Sequence, residues 1–160
     1  MADYDEILIA LRRITRAIDL HSKALVRKSG LTAPQILVLQ SIRRHGKTKP
    51  SVIAKDILLS QATVTSILDR LEKADLVKRE RSTHDRRIVE ICLTEKGADA
   101  LLTAPELLQS GFLREYRKLD DWERTQLTAS LQRIASMMDA DDLDAAPILA
   151  LGEIQVPKDN

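Results

Sequence analysis

The sequence predicts a mainly α-helical fold with a small β wing: a winged helix-turn-helix region joined to further helices. Three observations predict it. Apolar residues recur at helical spacing over most of the chain. Two short helical segments lie a three-residue turn apart. A pair of short strands with a basic tip follows them.

Composition agrees with this. Of 160 residues, 44% are hydrophobic, 31% charged and 2% aromatic. Leu, Ile, Val and Ala must therefore fill the interior, a composition that favours helices. No apolar run of about 18 residues is present, so no membrane partner is expected. Asp3, Asp5 and Glu6 are the wrong chemistry for a signal peptide, and the single cysteine, Cys92, allows no intrachain disulfide. A cytoplasmic location is expected.

The opening segment, "DYDEILIALRRITRAIDLHSKALVRKSG", places Ile7, Leu11, Ile14, Ile18 and Leu25 on one stripe, with His21 in its empty slot. So narrow a stripe suits a partner helix better than a broad core. Gly30 is a natural terminator. The second helix starts at a capping box, Thr32 with Gln35, flanked by the staple pair Leu31 and Ile36. It ends at Gly46 after Arg43, Arg44 and His45.

A short third helix is expected over about residues 52–57, capped by Ser51, and a fourth capped by Ser60 with Val64, Ile67, Leu68 and Leu71 facing inward. Leu76 to Arg81 and Ile88 to Leu93 read as a hairpin around "STHDRR". Thr94 caps a helix from Glu95 onward, carrying Leu101, Leu108 and Phe112 and kinked by Pro105. Asp120 with Glu123 starts the final helix, continued by Leu127, Leu131, Ile134 and Met138. Residues 140–160 lose periodicity and read as a C-terminal extension.

The charge distribution points to a partner. Residues 32–97 carry thirteen Lys and Arg against eight Asp and Glu, whereas residues 98–160 carry six against twelve. A basic middle suits a polyanion, although a solvated mixed-charge surface has the same signature. The fourth helix offers Gln61, Thr63, Thr65 and Ser66 near its start, with Asp69, Arg70 and Lys73 beyond. Short hydrogen-bonding side chains there suit a major groove. The hairpin gathers Lys78, Arg79, Arg81, Arg86 and Arg87 within ten residues. Dense negative charge would relieve their repulsion, and a tip arginine fits a narrow minor groove. Asp85 has two readings, which can coexist: it orients the Arg87 guanidinium, or it satisfies local backbone amides.

These features resemble the MarR family of transcription regulators over roughly residues 5–138. "DRRIVEICLTEKG" is the most specific part. "LSQATVTSILDRLEKADLVKRE" is similar to the family's recognition helix and first wing strand, and "GLTAPQILVLQSI" to its second helix. One departure is Asp75, where the family usually has glycine. The resemblance implies a homodimer in which the first and last helices of both chains interlock, and a pair of winged helices on one palindromic double-stranded operator. It implies residues 31–97 as the DNA-binding region, and residues 1–30 and 98–139 as the dimerisation region. It implies DNA contacts by Ser60, Gln61, Thr63, Thr65, Ser66, Arg70, Lys78, Arg79, Arg81, Asp85, Arg86 and Arg87. Among these, Arg87 is the minor-groove arginine and Asp85 its orienter.

The function so implied is a repressor whose operator binding responds to a small-molecule effector. The candidate effector residues are Arg16, His21 and Tyr116. "RRITRAIDLHSKAL" is similar to the branch controlling compatible-solute synthesis, ectoine or glycine betaine. A quaternary ammonium ligand would want an aromatic cage, for which Tyr4, Phe112, Tyr116 and Trp122 are the material; ordinary packing is the commoner role for all four. His21 on an apolar stripe is more often a packing residue than a ligand. Cys92 reads as a small filler on the second strand. No catalytic constellation, metal-ligand cluster or phosphate loop is present in the sequence, so neither an enzyme nor a cofactor is expected. The alternative is a winged helix that binds only protein.

Overall fold

The computed structural model describes residues 3–140. Its elements in chain order are α1 (Asp3–Ser29), α2 (Ala33–His45), α3 (Pro50–Ile57), α4 (Gln61–Lys73), β1 (Val77–Arg81), β2 (Val89–Leu93), α5 (Glu95–Thr103), α6 (Leu108–Tyr116) and α7 (Asp121–Met137). A mainly helical protein with a two-stranded wing is what the periodicities predict. A break after Pro105 divides the described residues into two units, each with its own contacts. The proposed C-terminal extension lies outside the described residues, apart from Ala140.

The first unit is built around α2. Ile36, Val38, Leu39 and Ile42 on this helix are fully buried, together with Ile53 of α3, Val64, Leu68 and Leu71 of α4, and Ile91 of β2. Fully burying each such side chain is worth about 1.5–3 kcal/mol. The capping box forms as its residues require: Gln35 N–H donates to Thr32 Oγ1 at 3.5 Å, and Thr32 N–H to Gln35 Oε1 at 2.9 Å. Asp56 braces α3 against α2 by accepting from Ser41 Oγ at 2.6 Å and Arg44 at 2.6 Å. The Ser41 hydroxyl bond, with the nearby Arg44 cation, holds the Asp56 carboxyl below its usual range.

Two expectations need correction. The third helix begins before Ser51: Pro50 takes its first turn and Lys49 is the N-cap, without a side-chain bond. Proline's fixed φ and missing N–H suit a first helical position, and here they outweigh the serine cap. Pro105 also does more than kink a helix. Ala104 before it adopts ψ 135°, and residues 104–107 leave the helix between α5 and α6. Clash with the proline ring pushes the preceding residue out of the α region.

The turn between α3 and α4 holds Leu58 at φ 56° and ψ 40°, with 72% of its surface exposed. A β-branchless leucine still has a Cβ, and the left-handed conformation costs such a residue about 1–2 kcal/mol. Leu58→Gly should therefore stabilise the chain by roughly 0.5–1 kcal/mol, after glycine's own entropic cost. The check is a higher urea midpoint at unchanged slope.

β1 and β2 pair antiparallel, with Val77 opposite Leu93 and Arg81 opposite Val89. Thr48, in the loop before α3, adds one bridge to Ile91 on the outer side of β2. Thr94 caps α5 by accepting from Gly97 N–H at 3.0 Å, and its hydroxyl donates to the Asp75 carbonyl at 2.7 Å. Asp75 itself stands at φ 60° and so keeps the left-handed turn that a glycine would adopt more cheaply. Gly97 sits inside α5, pressed against the Leu76 backbone.

In the second unit, α6 and α7 meet through Phe112, Tyr116 and Arg124. The two rings stack at 5.7 Å, and the Arg124 guanidinium lies 5.6 Å from the Tyr116 centroid. Arg124 also donates to the Arg117 carbonyl at 2.9 Å. The capping box of Asp120 and Glu123 starts α7 as expected.

Candidate nucleic-acid interface

The N-terminus of α4 is fixed by its own hydroxyls. Ser60 Oγ accepts from Thr63 N–H at 3.1 Å and shares a hydrogen bond with Thr63 Oγ1 at 2.8 Å. Thr65 Oγ1 donates back to the Gln61 carbonyl at 2.9 Å. Ser60, Thr63 and Thr65 thus serve the helix first, with acceptor capacity left over. Gln61, Ser66 and Arg70 are exposed, and their side chains make no hydrogen bond or ion pair among the described residues. Helical spacing sets Gln61 beside Thr65 and Ser66 beside Arg70 on the outward side, opposite Val64, Leu68 and Leu71.

The cations of the hairpin divide into two groups. Lys78 Nζ lies 2.6 Å from Glu80 Oε1, and Lys47 Nζ lies 2.6 Å from Glu80 Oε2. Hydrogen bonds from these two ammonium groups hold the Glu80 carboxyl at about 2. Arg79 is also engaged, with Asp69 and Glu72 of α4 at 2.6 Å each. The Asp69 hydrogen bond, with the two nearby carboxylates, raises its already high pKa. By contrast, Arg81, Arg86 and Arg87 are exposed and make no ion pair among the described residues.

At the tip, Asp85 Oδ1 accepts from the backbone N–H of Arg87 at 2.9 Å, and the Ile88 N–H donates to the Asp85 carbonyl at 2.9 Å. Of the two readings of Asp85, the structure holds the local one. The carboxylate fixes the turn that carries Arg87 and leaves the guanidinium free. Ser82, buried, closes the base of this turn through its N–H to the Ile88 carbonyl at 2.9 Å.

Some partners escaped the sequence reading. Lys47 was not grouped with the wing, because thirty-three residues separate it from Glu80. Asp69 and Glu72 did carry a signal. Two carboxylates three residues apart share one helix edge and form a ready acceptor for an arginine fork. Cys92 is buried with Sγ 3.8 Å from the Lys78 carbonyl, and burial pushes its thiol pKa up, in keeping with a filler.

The effector candidates lie on two helices, α1 and α6. Arg16 is exposed and His21 half-buried, both on α1. Five residues apart, they point about 140° from each other around the helix. The buried His21 Nε2 has no hydrogen-bond partner among the described residues. Tyr116 lines a cleft of about 330 Å³ with Arg124, Thr125, Thr128, Ala129 and Gln132. Arg124 already covers the Tyr116 ring, where an ammonium ligand of an aromatic cage would sit.

Comparison with known proteins places this geometry among relatives. The MarR family profile matches residues 31–89. The chain is 28% identical over 133 residues to the HTH-type transcriptional repressor MdtR of Bacillus subtilis (strain 168), covering 81% of this chain and 86% of that protein. Among solved structures it is similar to a MepR like protein complexed with pseudoligands, at 25% identity and a TM-score of 0.57, over 86% of this chain and 97% of the other. A mutant MarR from E. coli complexed with operator DNA shares the fold: 24% identity, a TM-score of 0.56, and 84% and 99% coverage.

Proposed function

The chain belongs to the MarR family, and from that premise we propose that it is a DNA-binding transcriptional regulator that represses from a palindromic double-stranded operator. One observation carries the reading. The outward face of α4 and the tip of the wing both present groups not spent on internal pairs: Gln61, Ser66 and Arg70 on the helix, Arg81, Arg86 and Arg87 on the hairpin. Amide and hydroxyl groups read base edges, and guanidinium groups neutralise phosphates or enter a narrow minor groove. Ser60, Thr63 and Thr65 support the helix N-terminus. Asp85 sets Arg87.

The relation between MdtR and transcriptional repression supports the repressor assignment. A cytoplasmic regulator without catalytic activity or cofactor is the corresponding reading. Residues 31–97 form its DNA-binding region. Residues 1–30 and 98–139 form the dimerisation region, supported by apolar residues that the single chain leaves exposed: Ile7 and Ile14 on α1, Leu127 and Leu131 on α7. Two half-sites should lie about 34–36 Å apart, one helical turn. An effector is assigned to the cleft beside Tyr116, with Arg16 and His21 as further candidates on α1; the pseudoligands bound by the MepR like protein support a ligand-responsive mode.

Arg87→Ala tests the wing directly. Its affinity for a duplex selected by the wild-type protein from a randomised palindromic pool should fall across all sequences, and the salt slope of log Kobs should shrink by about one. Fluorescence anisotropy across a salt series measures both. Unchanged affinity would remove Arg87 from the interface. A wild-type chain indifferent to duplex at low ionic strength would return it to the protein-binding class.

A further inference from the structure

Arg79 was grouped with the wing's DNA-contacting cations on sequence, and its geometry points elsewhere. It lies on β1 and reaches across to α4. One terminal nitrogen of its guanidinium donates to Asp69 Oδ1 at 2.6 Å, the other to Glu72 Oε2 at 2.6 Å. Among the described residues these are the only side-chain hydrogen bonds between α4 and β1. The Arg79 side chain is 31% exposed, against 57% for its neighbour Lys78.

From this two-pronged bond we infer that Arg79 is a positioning residue: it fastens the first strand of the wing to the groove-reading helix and itself touches no phosphate. The inference rests on the DNA-binding reading. A planar fork held by two carboxylates resists rotation as well as separation, which a single ammonium would not. Three residues, Ala74, Asp75 and Leu76, join α4 to β1, so a small change of tilt there would swing the Arg87 tip through a larger arc. The fork also offsets one of the two negative charges that Asp69 and Glu72 place on the very helix that faces DNA. Asp69 and Glu72 would otherwise repel phosphates there.

The experiment compares Arg79→Met, the double variant Asp69→Asn with Glu72→Gln, and Arg87→Ala on the duplex selected by wild type, with a thermal melt of each. Arg79→Met should bind about fivefold more weakly with the salt slope of wild type, since ion pairs of this kind contribute modestly. The carboxylate variant removes two negative charges from the DNA-facing helix, yet it too should bind about fivefold more weakly. As bare charges, Asp69 and Glu72 would predict the opposite sign, and tighter binding by this variant overturns the proposal. So does a salt slope that falls by about one in Arg79→Met, the mark of a lost phosphate contact. Arg87→Ala separates the two levels. If it loses affinity and slope while the Arg79 and carboxylate variants bind like wild type, the DNA-binding reading stands and the fastening alone fails. If wild type binds no duplex, both fall.

Discussion

Gly97→Ala should lose about 3 kcal/mol of stability, a drop in Tm of roughly 6–12 °C for a chain of this size. A β-carbon at Gly97 would overlap the Leu76 carbonyl oxygen and come within 2.9 Å of its carbon. The obstacle is backbone on both sides, so no flexible side chain can swing away. The same carbonyl accepts the Thr94 N–H at 3.1 Å, at the start of α5. Relief of the overlap therefore requires α5 to lift from the α4–β1 junction. That motion strains the Thr94 hydroxyl bond to Asp75 and the Lys96 bond to the Ala74 carbonyl at 2.7 Å. Differential scanning calorimetry measures the loss. A Tm within a degree or two of wild type would mean that the close approach of α5 to Leu76 is absent in solution.

Ile14→Asp carries the largest expected effect on DNA binding. Ile14 is 50% exposed and Ile7, one heptad earlier, 49% exposed. Both lie on the stripe that also carries Leu25, which is buried at 2%. One helix thus spends part of its apolar stripe on its own subunit and leaves the rest uncovered, as expected if a second copy supplies the cover. Because Ile14 is exposed in the single chain, an aspartate there should cost that chain's own folding little. It should cost association heavily, since a charge would be buried without a partner. Two linked binding modules gain about 10²–10⁴ in apparent affinity over one. A monomeric Ile14→Asp chain should lose a comparable factor on a palindromic duplex while keeping its Tm. Sedimentation velocity reports the assembly state and anisotropy the affinity. An intact Ile14→Asp dimer would remove α1 from the seam.

Much of this fold was legible because local rules agree with one another. Thr32 with Gln35, Ser60, Thr94, and Asp120 with Glu123 each mark a helix start, and each forms its cap. Where two local rules competed, the sequence was ambiguous. Pro50 and Ser51 both favour a helix N-terminus, and proline prevailed. Pro105 permits either a kink or a stop, and the conformation forced on Ala104 decided for a stop.

The candidate interface divides in the same way. Residues placed by helical period or by the hairpin tip, such as Gln61, Arg70 and Arg87, are exposed where their spacing predicts. Whether a given cation is free or committed depends on partners distant in sequence. Arg79 meets Glu72 across a turn and Lys47 reaches Glu80 from the loop before α3, pairings that no periodicity encodes. Charge counts therefore overstate how many wing cations remain available.

The Thr48 bridge has a consequence for solubility. Ile91 gives both its N–H and its carbonyl to Thr48, at 2.6 and 3.0 Å, so the rim of β2 is occupied where a foreign strand would first dock. The opposite rim, on β1, is lined by Lys78, Arg79 and Arg81. A strand edge crowded with charged side chains is a poor template for a neighbour. The ribbon can therefore stand exposed to solvent without seeding aggregates of its own kind.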